Sequence, residues 1–153
     1  MMPKAFYHRP VFLDEVVCWL RPRADGAYLD GTLGGGGHSE AILKAAGGGA
    51  ALYGIDRDAE AIAAATQRLK GYAGFRALHG NFHDAKTLLA GAGAPPLSGA
   101  LLDLGVSSYQ LDNAQRGFSY HEDAPLDMRM DAARGETAAA YLARVTPEEL
   151  RRI

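Results

Sequence analysis

The run Asp30-Gly31-Thr32-Leu33-Gly34-Gly35-Gly36-Gly37-His38 constrains this chain more than any other stretch. An apolar lead-in ends in an acid, and four consecutive glycines follow before a segment of helical composition. Glycine is favoured where the backbone takes positive φ or runs within contact distance of a bound group, and ordering four in a row carries a large entropic cost. The loop is therefore read as a ligand cradle set between a strand and a helix.

The flanking pattern places that loop in a repeating unit. Apolar residues Phe12, Val16, Val17 and Leu20 recur at helical spacing over 11–20, and Pro22 follows. A short strand over 27–29 leads into the glycines, and a helix over 38–46 is closed by Gly47-Gly48-Gly49. A second strand spans 50–56, then an alanine-rich helix spans 58–70 with Asp58 as N-cap and Gly71 as its stop. A third strand is expected over 75–78, a third helix over 82–90, and a fourth strand over 99–104, apolar until Asp103. Strands alternating with helices imply an α/β fold with a parallel sheet whose ligands sit at the carboxyl ends of the strands. From 105 to 134 the alternation breaks, and short helical turns at most are expected. Residues 136–144 have helical composition, and Thr146-Pro147-Glu148-Glu149 carries the capping-box signature of a helix start. Only Leu150, Arg151, Arg152 and Ile153 follow, so the chain reads as a truncated fragment.

Composition narrows the class. A chain of 153 residues with 48% hydrophobic and 22% charged residues is sized and composed as one globular domain. A formal charge of -2 and a pI near 6.2 supply no global basic field, so any RNA contact is local or made by further sequence. The single cysteine, Cys18, cannot form an internal disulfide, which fits a reducing, cytoplasmic setting, and it is expected to be a small buried hydrophobe. No apolar window approaches the roughly 18 residues of a membrane span, and the N-terminus lacks the apolar core of a signal peptide, so no membrane partner is expected.

The loop chemistry follows from the strand ends. No lysine follows the glycines, which argues against a phosphate-binding loop of the ATPase type, and the third glycine of a dinucleotide pattern falls on Ser39. Asp56 ends the second strand 22 positions after Gly34 (56 − 34), where a carboxylate accepts both hydroxyls of an adenosine ribose. NAD and S-adenosylmethionine share that geometry. Acids at Asp30, Asp56 and Asp103 suit the cationic sulfonium cofactor better than a pyrophosphate. His38 at the helix start is read either as part of the cradle or as a ring facing solvent. His79 and His83 have a ligand-like separation of four, but no further motif completes a zinc site, and no metal is expected. Taken by itself, Asp127-Met128-Arg129-Met130-Asp131 reads as a solvated, self-paired charge run.

Several segments together resemble a known family. They are His8-Arg9-Pro10-Val11, the glycine run, Gly54-Ile55-Asp56-Arg57-Asp58, Leu102-Asp103-Leu104-Gly105-Val106-Ser107-Ser108, Arg116-Gly117-Phe118-Ser119 and Pro125-Leu126-Asp127-Met128-Arg129-Met130-Asp131. In order and nearly without gaps, they are similar to the bacterial 16S rRNA cytosine-N(4) methyltransferases, the RsmH or MraW family. The resemblance implies a Rossmann-like class I S-adenosylmethionine-dependent methyltransferase, in a chain about twice this long, with a helical domain inserted after the fourth strand. On this chain that would give an N-terminal arm and helix over 1–21, a cofactor-binding domain over 22–134 and the start of the inserted domain over 135–153. It further implies cofactor contacts at Gly36, Gly37, His38, Asp56, Phe82, Asp103 and Gln110. Physical chemistry agrees for most of these, since the glycines permit backbone approach, Asp56 accepts hydroxyl hydrogen bonds and Phe82 offers an apolar face to a purine, whereas Gln110 rests on the resemblance alone. Tyr109 loosely resembles the aromatic that stacks a target base in amino-methyltransferases.

The implied reaction methylates the exocyclic amine of a cytidine in 16S rRNA of the small ribosomal subunit. Such an amine is a poor nucleophile, so it must be held in line with the methyl group while Asp103, or carbonyls of the loop 104–107, accept its hydrogen bonds. Methylation at ring carbon 5 would require a cysteine nucleophile, and Cys18 is far in sequence from the strand-end loops. The expected partner is 16S rRNA, with a homodimer as a candidate assembly. Two other readings stay open: a cofactor-binding fragment without activity, and an NAD-dependent oxidoreductase. Replacement of Gly36 by valine is expected to abolish cofactor binding without unfolding the sheet.

Overall fold

A computed structural model of the chain describes residues 10–153, with the side chains of Ser108 and Tyr109 excepted. His8 and Arg9 of the N-terminal motif, and any stacking role of the Tyr109 ring, lie outside the described residues. The chain forms two compact units, one ending at Gly105 and the other comprising Val106–Ile153.

The first unit is built on a four-stranded, wholly parallel sheet. Helix α1 (Leu13–Leu20) precedes β1 (Ala27–Asp30), which is followed by α2 (Gly37–Ala45), β2 (Ala51–Asp56), α3 (Ala59–Leu69), β3 (Phe75–His79), α4 (Ala85–Gly91) and β4 (Gly99–Leu101). The strand order is β3-β2-β1-β4. Register pairs Asp30 with Gly54 on one side and Leu101 on the other, and Asp56 with His79, so the acids that end β1 and β2 emerge at one edge of the sheet.

Alternation along the strands divides the core between the two faces. Tyr28 and Leu52 pack with Ile42 and Leu43 of α2, Leu69 of α3 and Leu20 of α1. Leu29, Tyr53 and Ile55 pack on the opposite face with Ala85, Leu88 and Leu89 of α4. Ile42, Leu43, Leu52, Ile55 and Leu69 are completely buried, each contributing on the order of 1.5–3 kcal/mol of hydrophobic transfer free energy. The result is a Rossmann-like three-layer arrangement with its loops at the strand ends.

Local signals explain most boundaries. Asp58 caps α3 by accepting from the Glu60 amide at 3.0 Å. Gly47 and Gly48, both at positive φ, close α2, and the Gly48 amide reaches back to the Leu43 carbonyl at 2.9 Å.

Four expectations are corrected in this unit. The first helix starts at Leu13, not residue 11, because Phe12 takes a left-handed conformation at φ 51°. The helix expected over 82–90 is split into a 3₁₀ turn, Phe82–Asp84, capped by Asn81, and then α4. The fourth strand ends at Leu101 instead of 104: its last partner on β1 is Asp30, and the Gly31 amide takes the Leu101 carbonyl at 2.9 Å, after which Leu102 and Leu104 are exposed. Cys18 is exposed rather than buried, because Leu13, Val16, Val17 and Leu20 form the inner stripe of α1 and Cys18 and Trp19 lie outside it.

The second unit has α5 (Ser108–Asp112), a 3₁₀ turn at Ala114–Arg116, α6 (Ala138–Arg144) and α7 (Pro147–Leu150). Helix α6 starts at Ala138, two residues later than expected, because Thr137 serves as its N-cap. The Arg116 guanidinium donates to the carbonyls of Arg129 (3.1 Å) and Met130 (2.9 Å), and the Met128 amide returns to the Arg116 carbonyl. Two motifs separate in sequence are thereby joined. The expected capping box at Thr146 and Glu149 is formed.

Candidate ligand site at the strand ends

The glycine loop is held from several directions. The Thr32 amide donates to Oδ1 of Asp30 (3.2 Å), the Leu33 amide to the Ile55 carbonyl (2.9 Å), the Gly34 amide to Oδ2 of Asp56 (2.8 Å) and the Gly36 amide to the Leu33 carbonyl (2.8 Å). Arg68 on α3 closes the other side, donating to the Gly35 carbonyl and to Glu40 of α2, both at 3.1 Å. These bonds, with that of the Gly31 amide to the Leu101 carbonyl, fix the path of the loop from Gly31 to Gly36.

Gly36 sits at φ 77°, and a Cβ there would meet Ala65 and Leu69 of α3 at 3.2 Å. Its missing side chain faces the fold, so the expectation that valine at this position leaves the sheet untouched is replaced by one of direct packing cost. A Cβ on Gly37 would overlap Cγ of Pro10, which brings the N-terminal segment against the loop.

Three carboxylates converge here. Asp30 is completely buried and accepts from the Ser39 hydroxyl at 2.7 Å as well as from Thr32. Burial pushes its carboxyl above the usual carboxylate range, against the opposing pull of the Ser39 and Thr32 hydrogen bonds and of nearby His38. Asp56 accepts from Gly34 and, through Oδ1, from the Asp58 amide at 2.9 Å. Since a carboxylate offers about four acceptor positions, roughly two remain for ligand hydroxyls. Asp103 follows β4, its amide donating to the Thr32 hydroxyl at 2.7 Å, with a half-exposed side chain whose Oδ2 lies 3.9 Å from Nδ1 of His38. The His38 ring is buried, and Nε2 lies 2.8 Å from the Val11 carbonyl, which excludes the solvent-facing reading.

Phe82 is exposed, and its Cβ lies 3.4 Å from the position a Cβ on Gly31 would take, so the residue sits beside the start of the glycine loop. Gln110, in the second unit, is buried with Oε1 accepting from the Ser107 amide (3.0 Å) and Nε2 at 3.3 Å from Sδ of Met130. His79 bonds the Arg57 carbonyl, and among the described residues no group of three His, Cys, Asp or Glu is placed to hold a metal ion. No helix among them is long and apolar enough to cross a membrane.

Thr32, Ser39 and Arg68 are site residues that the sequence pattern did not single out. The available signal was Ser39 itself: the departure from the third glycine of a dinucleotide pattern supplies the hydroxyl that the buried Asp30 requires.

Comparison with known proteins gives the chain a family. The model of the MraW methylase family matches residues 5–153. The chain is 51% identical over 150 residues to ribosomal RNA small subunit methyltransferase H of Pelobacter propionicus, covering 97% of this chain and 48% of that protein. It is 52% identical over 149 residues to the protein of the same name in Trichlorobacter lovleyi, with the same coverage. The chain thus spans about half the length of the curated relatives it matches. A crystal structure from Clostridium thermocellum, provisionally named an rRNA-methylase, superposes with a TM-score of 0.50 at 15% identity over 67% of this chain and 58% of that one, a likeness in fold. The fold is that of the class I methyltransferases, and the chain belongs to the MraW methylase family.

Proposed function

We propose that the chain is the cofactor-binding part of an S-adenosylmethionine-dependent methyltransferase that methylates the exocyclic amine of a cytidine in 16S rRNA. The observation that carries this reading is the convergence of three carboxylates, Asp30, Asp56 and Asp103, beside the glycine loop at one sheet edge. That chemistry suits a ribose and a cation and disfavours a dinucleotide pyrophosphate. Family membership and the relatives' names support the rRNA substrate.

In this reading Asp56 takes the ribose hydroxyls, Phe82 covers one face of the adenine, and the 36–38 backbone runs beside the methionine end. When bound, the cofactor supplies an electrophilic methyl group on a sulfonium. The protein's part would be to hold the cytosine amine in line with that methyl group and to accept a hydrogen bond from the amine at Asp103 or a neighbouring carbonyl, with the proton the amine gives up passing to solvent. No nucleophilic cysteine is needed, and Cys18 lies exposed on α1. Gln110 is kept as a cofactor contact, and the domain division 1–21, 22–134 and 135–153 as the plan of the longer protein. The setting proposed is cytoplasmic.

The test uses the full-length protein with small ribosomal subunits and S-adenosylmethionine, followed by mass spectrometry of the rRNA nucleosides. N4-methylcytidine is the expected product. Methylation at carbon 5, or no methyl transfer, would contradict the proposal.

A further inference from the structure

The peptide unit that joins Gly35 to Gly36 is pinned at both ends. Its amide, on Gly36, donates to the Leu33 carbonyl at 2.8 Å, and its carbonyl, on Gly35, accepts from Nη1 of Arg68 at 3.1 Å. Turning that plane over changes only ψ of Gly35 and φ of Gly36, and neither residue has a Cβ to oppose the rotation. Gly34 and Gly36 already sit at positive φ, 50° and 77°. Local preference therefore does not choose the orientation of this plane, and the two hydrogen bonds do.

Arg68 is placed to supply the outer of those bonds. It lies in the last turn of α3, and Nε of the same guanidinium donates to Oε2 of Glu40, in the first turn of α2, at 3.1 Å. Glu40 is itself tied to the loop, since its amide donates to the Gly36 carbonyl at 2.9 Å, and its other carboxylate oxygen lies 3.2 Å from Nζ of Lys44. The Arg68 and Glu40 side chains are 30% and 26% exposed, so this pair is more sheltered than a solvated surface pair. A planar guanidinium holds a carbonyl and a carboxylate at once with donors of fixed direction, which a lysine ammonium does not. Helix α3 thereby fixes both loops of the site: Asp58, its N-cap, bonds Asp56 through its amide, and Arg68 bonds the glycine loop from the other end.

We propose that Arg68 is a positioning residue for the methionine end of the cofactor, acting through the Gly35–Gly36 peptide plane and not on the ligand itself. This rests on the S-adenosylmethionine reading and deepens it. The guanidinium sets the direction in which the backbone from Gly36 to His38 faces the amino-acid tail, while the nucleoside half is held independently at Asp56.

The test measures binding of S-adenosylhomocysteine and of methylthioadenosine, which keeps the nucleoside and the sulfur but lacks the amino-acid tail. Calorimetry is run on the full-length protein and on its Arg68→Met and Arg68→Lys variants. Arg68→Met is expected to weaken S-adenosylhomocysteine about tenfold while leaving methylthioadenosine within about twofold, and Arg68→Lys, which keeps one charged donor, to fall between. Equal losses for the two compounds, or a lysine variant no better than the methionine one, would overturn the positioning role while leaving the cofactor reading intact. Failure of wild type to bind S-adenosylhomocysteine would overturn both. Should Arg68→Met fold poorly, Glu40→Gln decides, because it removes the charge that aligns the guanidinium and leaves Arg68 in place. A loss of about threefold confined to S-adenosylhomocysteine is then expected, and no loss, or equal losses for both compounds, would overturn the proposal.

Discussion

The amide of Gly34 donates to Oδ2 of Asp56 at 2.8 Å across 22 residues, so the carboxylate at the end of β2 ties down the glycine loop at the end of β1. Its other oxygen takes the Asp58 amide, so one side chain sets the loop, the start of α3 and the proposed ribose site together.

Replacing Asp56 therefore affects two properties. Asp56→Ala is expected to weaken S-adenosylhomocysteine binding on the order of a hundredfold and to lower stability by about 1–3 kcal/mol, from the lost charge-assisted hydrogen bonds. Asp56→Asn, which keeps one acceptor, should fall between. Calorimetry and urea unfolding of the same preparations measure both, and unchanged affinity in Asp56→Ala would refute the ribose assignment.

Gly36→Ala combines a positive φ with close approach to Ala65 and Leu69. It is expected to lower stability by about 1–3 kcal/mol, read as a drop in the urea midpoint at unchanged slope.

Burial raises the Asp30 carboxyl above its unfolded value. For an acid shifted upward, the stabilising contribution is complete below the unfolded value and is lost as pH rises through the folded one. Asp30→Asn removes that loss. The variant should gain stability relative to wild type as pH rises toward neutrality, with a smaller difference near pH 4. Urea titrations across that range check it, and a difference independent of pH would contradict the account.

Asp127 behaves in the opposite sense. The Arg129 side chain, bonding both carboxylate oxygens at 2.8 and 2.7 Å, holds the Asp127 carboxyl down at about 2. Its contribution is present above the unfolded value and lost as pH falls toward 2. Both side chains are partly exposed, so the effect is modest and screened by salt. Arg129→Ala should flatten the stability profile between about pH 4 and pH 2. An unchanged profile there would show that the pair does not set the titration.

What the sequence revealed was whatever depends on neighbours along the chain. Asp58 as a cap, the Gly47-Gly48 stop and the Thr146 capping box are each written within a few residues. The Gly34–Asp56 spacing was legible as a cofactor signal, but its internal hydrogen bond was not, because one carboxylate serves both purposes. The early end of β4 depends on where β1 stops offering partners, which no local pattern records. The outward position of Cys18 was legible, since the spacing of Val16, Val17 and Leu20 leaves it off the apolar stripe of α1, but the residue type suggested burial. The Ser39–Asp30 bond, and the burial of His38 beneath Val11, are tertiary facts visible only once the N-terminal segment is seen against the loop.

The central claim is that these strand ends take a sulfonium nucleoside and not a dinucleotide. One calorimetric comparison on the full-length protein tests it most directly, titrating S-adenosylmethionine and NAD separately under identical conditions. Saturable one-to-one binding of S-adenosylmethionine, with no heat from NAD, is the expected result. Binding of NAD in preference to S-adenosylmethionine would contradict the account.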